Sequence, residues 1–341
     1  MFRFRSKLSL GAALAAVLVI LYSAGWLFLA HRVRVVVDAY IARQHDQGVN
    51  LTVATQAIEG FPFLIEVRLT GIVAAGLPHV PDGRATVPVA VAWARPWQLD
   101  AWRFSLLGGG TIDGPEGHVG FDLLGGHASA ILGPGATPGG DLADLHVDNI
   151  VISQGDRVLK AARAGVTLRL PPEAPKAHEE PLFSLALQAH KVTLPTAVEP
   201  LGSQIDHLML DGTWRGPLPP GKLADALAAW RDDGGTIELQ GIDLGWGPLA
   251  VTADGTLALD KDMQPLGAFS ARIMGYDAIL DALIASGHIH QQEASLARMG
   301  LSMMAQHGAD GTPQLKTPLT IQDGALYMGP ARLMKVPKAV W

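Results

Sequence analysis

Residues 8–30 read LSLGAALAAVLVILYSAGWLFLA, 23 consecutive residues without a charge. As a helix this run extends about 34 Å at about 1.5 Å per residue, enough to cross a hydrocarbon core of about 30 Å. Arg3, Arg5 and Lys7 precede it, which places the N-terminus in the cytoplasm under the positive-inside rule. Arg32 and Arg34 follow on the far side and oppose that bias. A cleaved signal peptide is the alternative, because Ser23-Ala24-Gly25 suits a small-residue cleavage site. The apolar run nevertheless continues through Trp26, Leu27, Phe28 and Leu29, past a typical signal core, and Tyr22 and Trp26 fit an interfacial belt. A retained anchor over residues 1–30 is therefore the expectation.

Just past the anchor, Val33, Val36, Val37, Tyr40 and Ile41 recur at helical spacing, and Gly48 is a stop signal. This segment is expected to pack as a helix against the body, with a position on the membrane surface as the other option. Beyond residue 50 the period becomes two. Phe63, Ile65, Val67 and Leu69 alternate with Leu64, Glu66, Arg68 and Thr70, the pattern of a half-buried strand. Similar runs cover 85–93, 142–153, 158–170, 183–194, 235–244, 249–260 and 267–275. The Gly 39 and Pro 23 of the chain suit many turns between short strands.

Five dipeptides punctuate these runs: Gly109-Gly110, Asp211-Gly212, Gly234-Gly235, Asp254-Gly255 and Asp323-Gly324. Each reads as a hairpin joint, since Asp-Gly readily takes the positive φ angles of a type I′ turn. Three amphipathic helices are expected at 221–233, 276–286 and 290–307. They are carried by Leu223, Leu227 and Trp230, by Tyr276, Ile279, Leu280, Leu283 and Ile284, and by Ala297, Leu301 and Met304. The proline-rich segment 171–181 reads as a linker between two β-rich parts, 31–170 and 182–341, the second also carrying the helices.

Three segments carry a family resemblance: Gly60-Phe61-Pro62-Phe63, Pro96-Trp97, and the closing LTIQDGALYMGPARLMKVP at 319–337. In this order they resemble an uncharacterised Gram-negative envelope family, domain-of-unknown-function family 2125. Residues 255–287 are also similar to parts of AsmA-like β-groove envelope proteins. Those likenesses imply an inner-membrane anchor, a long antiparallel sheet curled around an apolar groove, and a role in envelope lipid handling. They imply no catalytic residue. The stretch 133–140 (GPGATPGG) departs from the pattern as a loop insertion.

Chemical motifs are weak. A net charge of −6 lacks the basic face that nucleic acid requires. With Cys 0, disulfides, thiolate metal sites and cysteine nucleophiles are excluded. Gly216 to Leu223 copies the spacing of a phosphate loop, but three prolines remove backbone donors and Leu223 replaces the magnesium-binding hydroxyl. His178-Glu179-Glu180 lacks the second histidine of a zinc helix, and Asp260-Lys261-Asp262 reads as a solvated turn. His288 and His290, with Glu293 and His307 downstream, are the one metal candidate, against a solvated interhelical turn. No G-x-S-x-G elbow occurs.

The expectation is an α+β fold: one transmembrane helix, then a large, curved, mainly antiparallel, groove-like sheet with a few helices. A sheet with too few helices to cover its apolar face must curl, dimerise or take up a ligand. The expected protein is a non-enzymatic, single-pass protein of the bacterial inner membrane with its body in the periplasm. It is expected to use no cofactor and no metal, and to shield a lipid or other apolar ligand. The candidate lining is Phe61, Phe63, Ile65, Val67, Leu69, Trp93, Trp97 and Trp102. An inner-membrane scaffold that recruits proteins is the alternative, and a metal-dependent hydrolase is a minor one.

Overall fold

The structure is a computed structural model that describes residues 3–46, 48–77, 82–115, 117–124, 128–132, 141–287, 289–307, 312–329 and 331–336. The expected anchor and the helix after it are one element, α1 (Arg3–Asp46), which is long and apolar enough to cross a membrane. Its second half carries a narrow half-buried stripe of Val33, Val37 and Ile41, whereas Val36 and Tyr40 are exposed. Gly48 ends it in a left-handed conformation (φ 86°), as expected for a glycine stop.

Strands then follow one another: β1 (Asn50–Thr52), β2 (Thr55–Glu59), β3 (Ile65–Ala75), β4 (Arg84–Arg95), β5 (Gln98–Leu107), β6 (Gly110–Gly114), β7 (Gly117–Asp122) and β8 (Ala128–Leu132). The long central strands are β9 (Asp141–Gln154), β10 (Arg157–Arg169), β11 (Pro181–Val198) and β12 (Gly202–Arg215). A short helix, α2 (Leu223–Asp232), precedes β13 (Thr236–Trp246), β14 (Leu249–Leu259) and β15 (Pro265–Met274). After α3 (Tyr276–Ala285) and α4 (Gln291–Met304) come β16 (Ala305–His307), β17 (Pro313–Gln322), β18 (Ala325–Met328) and β19 (Ala331–Lys335).

Among the described residues all 19 strands belong to one sheet, and every pairing is antiparallel. Most strands pair with a neighbour in sequence, and the exceptions are short-range: β1 and β2 both line β3, and β15 and β16 both line β17. Between β4 and β9 two rungs are split: β5 and β6 together line β4, and β8 and β7 together line β9. The proline-rich segment 171–181 joins β10 to β11, which pair directly from Arg169–Ser184 onward, so one sheet passes through both expected parts. The fold is thus α+β, with a curved, groove-like sheet and four helices among the described residues.

The expected hairpin role of the glycine dipeptides holds at Asp323-Gly324, the joint of β17 and β18, where both residues have positive φ. Elsewhere it is corrected. Asp211-Gly212 and Asp254-Gly255 lie inside β12 and β14, Gly109-Gly110 sits at the break between β5 and β6, and Gly234-Gly235 leads from α2 into β13. At Gly255 the missing side chain has a different purpose: a Cβ would stand 2.7 Å from the Phe269 Cα on the neighbouring strand. The glycine lets a bulky ring lie across the strand.

Each short helix buries a face at one margin of the sheet. In α2, Ala226, Leu227 and Trp230 are buried and the indole Nε1 donates to the Arg215 carbonyl at 2.7 Å; Leu223 is exposed, contrary to expectation. Tyr276 and Leu280 anchor α3. In α4 the inward stripe is Ala294, Arg298 and Leu301; the expected Ala297 and Met304 are exposed, a shift of the face around the axis. Arg298 ties the two helices by bonding Asp277 at 3.2 Å and Asp281.

Candidate functional site

Strand register aligns side chains across the whole sheet, because directly paired residues share a face. Starting from Ile58 on β2, the partners run Val67, Ala92, Phe104, Ala130, Leu145, Val166, Leu187, Leu210, Ile242, Ala253, Ala271 and finally Thr317 on β17. Twelve of these thirteen positions are apolar. At about 4.8 Å between strands the row is about 58 Å long.

Two residues further along each strand, on the same face, a second row passes through Leu69, Leu106, Val147, Ala189, Leu208, Leu244, Val251, Ile273 and Leu315. On the other flank a third passes through Leu168, Leu185, Gly212, Leu239, Gly255, Phe269 and Leu319. Three adjacent apolar rows thus make one continuous face.

The opposite face is polar. The row through Arg68, Ser105, His146, Gln188, Asp243, Thr252, Arg272 and Lys316 carries both charges and amides. Ion pairs cross it, among them His207 Nε2 with Asp243 at 3.1 Å and Arg163 with Asp148 at 3.3 Å. On β14, β15 and β17 the inner-face residues Ala253, Phe269, Ala271, Leu315 and Thr317 are buried, while Asp254, Ser270, Arg272 and Lys316 are exposed. Curvature shields the concave side of a single-layer sheet, so the apolar face is the inside of the groove. Shielding is weakest midway: Leu145, Val166 and Leu208 of the inner face are 39%, 36% and 38% exposed. A trough of about 900 Å³ runs along the later part of the central row, where Leu187, Leu210, Ile242, Ala253, Ala271 and Thr317 share its lining with residues of opposite parity, among them Gln188, Met209, Asp243, Thr252, Arg272 and Lys316. That volume lies in the range of ligand clefts, about 300–1,000 Å³.

The eight candidate lining residues separate into three groups. Ile65 and Val67 are fully buried on the inner face, where Leu69 and Trp102 share their side by register. Trp93 points the other way, paired with Glu66 and Arg103, and the Arg103 guanidinium lies 4.9 Å from its ring. Phe61, Phe63 and Trp97 are exposed on two neighbouring corners, the β2–β3 and β4–β5 turns. None of the eight lines the 900 Å³ trough. Its residues come from strands with ordinary alternation, and only the register reveals that they meet.

The metal candidate changes character. His288 and the insertion at 133–140 lie outside the described residues. His290 begins α4, with the Glu293 carboxylate accepting from its backbone N–H at 2.8 Å, a helix cap. Among the described residues no group of three His, Asp or Glu is placed to hold a metal ion. Burial and the neighbouring Asp277 carboxylate push the Tyr276 phenol above its ordinary 10.0.

An anchor-length helix leading a single meandering sheet now stands beside a comparison of sequence. Residues 26–337 match the model of the family DUF2125, described as an uncharacterized protein conserved in bacteria. The chain belongs to that family. The match takes in the whole DUF2125 sheet, β1 to β19, and α1 from Trp26 onward. Comparison with curated proteins and with solved structures finds no match, so the AsmA-like resemblance of residues 255–287 gains no support there.

Proposed function

We propose that this DUF2125 chain is a non-enzymatic, single-pass envelope protein, held in the inner membrane by α1 with its body in the periplasm, whose groove shelters the acyl chains of a lipid. One observation carries the reading. The central apolar row spans the sheet from β2 to β17, apolar rows run beside it from β3 on one flank and from β10 on the other, and Leu145, Val166 and Leu208 among them remain more than a third exposed. Exposed apolar surface of that extent is costly in water at about 25 cal/mol per Å², and an acyl chain laid along the rows removes it.

Leu208 and His207 provide a matched test. They are adjacent in β12 but face opposite sides of the sheet: Leu208 is 38% exposed on the apolar face, and His207 pairs with Asp243 on the polar one, outside the lining of the trough. Leu208→Arg is expected to abolish retention of a photo-crosslinkable fatty acid by the detergent-solubilised chain, and His207→Arg to leave it intact. Equal labelling of the two variants would sink the reading.

A second reading, recruitment of protein partners, draws on a separate feature. Leu296, Met299 and Met303 form an exposed stripe on α4, at i, i+3 and i+7, and Met303 is 79% exposed. A scaffold would use that stripe, and its loss would change cross-linked partners without altering lipid retention.

A further inference from the structure

The β2–β3 turn is fastened to the membrane helix itself. The Trp26 indole Nε1 donates to the Leu64 carbonyl at 2.9 Å, its ring stands edge-on to Phe61 at 5.4 Å, and the Tyr22 hydroxyl donates to the Pro62 carbonyl. Trp26 is buried in this contact, at 8% exposure, while Phe61 and Phe63 are 52% and 68% exposed. These contacts set the depth of the turn. Tyr22 and Trp26 lie within the uncharged run 8–30, and the first charge beyond that run is Arg32. Arg32 lies six positions beyond Trp26, about 9 Å along the helix axis. The turn therefore sits on the apolar side of the point where α1 leaves the bilayer.

Trp97 extends the same corner. Ile65, at the start of β3, pairs with Ala94, so the β4–β5 turn is the next one along the sheet margin, and Trp97 on it is 63% exposed. Leu27 and Phe28, which follow Trp26 in α1, are exposed as well, at 64% and 66%. Exposed Phe and Trp with no protein cover, pinned at the level of a transmembrane helix, match the chemistry of a membrane interface, where aromatic rings are enriched.

We infer that the two turns bearing Phe61, Phe63 and Trp97 form a wedge inserted in the outer boundary of the bilayer that α1 crosses, so that the first strands of the groove stand in lipid. This rests on the reading of α1 as a membrane anchor. Its consequence for the groove is direct. Ile65 follows the wedge by two residues and Val67 by four, and Val67 stands near the start of the central apolar row. Acyl chains then meet that row at the membrane, without first crossing water.

The absence of native cysteine makes the test direct. Nitroxide labels at Phe63→Cys, Trp97→Cys, Val19→Cys within α1, and Asp156→Cys on the β9–β10 turn are placed on the full chain in phosphatidylethanolamine–phosphatidylglycerol vesicles. Collision with oxygen, which concentrates in lipid, is compared with collision with a water-soluble nickel chelate. The wedge predicts a several-fold preference for oxygen at Phe63, Trp97 and Val19, and a preference for nickel at Asp156. Lipid depth at Val19 with nickel access at Phe63 overturns the wedge alone, whatever Trp97 reports. Nickel access at Val19 as well overturns the anchor reading with it. A Phe63 label shielded from both reagents marks a protein partner and equally overturns the wedge.

Discussion

Gly255 and Gly324 illustrate how differently one residue type can be used in this sheet. At Gly324 the backbone has φ 66° and open space surrounds the missing Cβ, so Gly324→Ala meets only the left-handed backbone cost, about 1–2 kcal/mol. At Gly255 the obstacle is the backbone of Ala268 and Phe269, and Gly255→Val is expected to cost about 3 kcal/mol through overpacking. Urea denaturation of the two variants checks the order, and the reverse order would contradict the register drawn between β14 and β15. Gln56 makes the opposite case. It pairs with Leu69 at the start of the second apolar row, and its amide nitrogen is buried without a partner among the described residues. Replacing it by Leu removes that unmet donor, so Gln56→Leu is expected to raise stability by about 1 kcal/mol. The sequence marks neither residue: Asp254-Gly255 looks like a turn, and Gln56 looks like an ordinary surface amide.

At the level of elements, local pattern carried the reading where a strand alternates cleanly or a helix has an apolar stripe. β3, β4, β9, β10, β11, β13, β14 and β15 all lie on runs with a period of two, and α2, α3 and α4 lie within a few residues of their expected bounds. β12 alternates too, but the Asp211-Gly212 pair inside it imitates a joint. β5 to β8 are short and interrupted by glycine, so no window is long enough to show a period. Faces of helices were less legible than their existence, since Leu223 and Ala297 turn outward once the helices meet the sheet. Trp230 shows what holds α2 in place: its ring is 2% exposed, and its N–H is bonded to the end of β12. Trp230→Ala is expected to cost about 3–5 kcal/mol and to release α2, which amide hydrogen exchange over residues 223–232 would register. Unchanged protection there would show that the helix is held by something else.

For the molecule as a whole, the apolar rows are a property that no single strand displays. Alternation shows that each strand has an apolar side, but only pairing shows that Val67, Leu145, Leu210 and Ala271 lie on one line across the sheet. The candidate lining read from sequence gathered the aromatic residues near the anchor. The structure divides them between the inner face, the outer face and the two exposed corners, because turn residues and strand residues of opposite parity cannot share a wall. An open meander of this length leaves its concave side without a second layer, and lipid is the cover that the chemistry of the rows suits. Native mass spectrometry of the full chain, released from mild detergent, tests that directly. A mass increment of phospholipid or another acyl lipid in defined ratio is expected for the native chain and for His207→Arg, and its loss in Leu208→Arg. A bare polypeptide mass that stays unchanged after incubation with membrane lipid extract would contradict it.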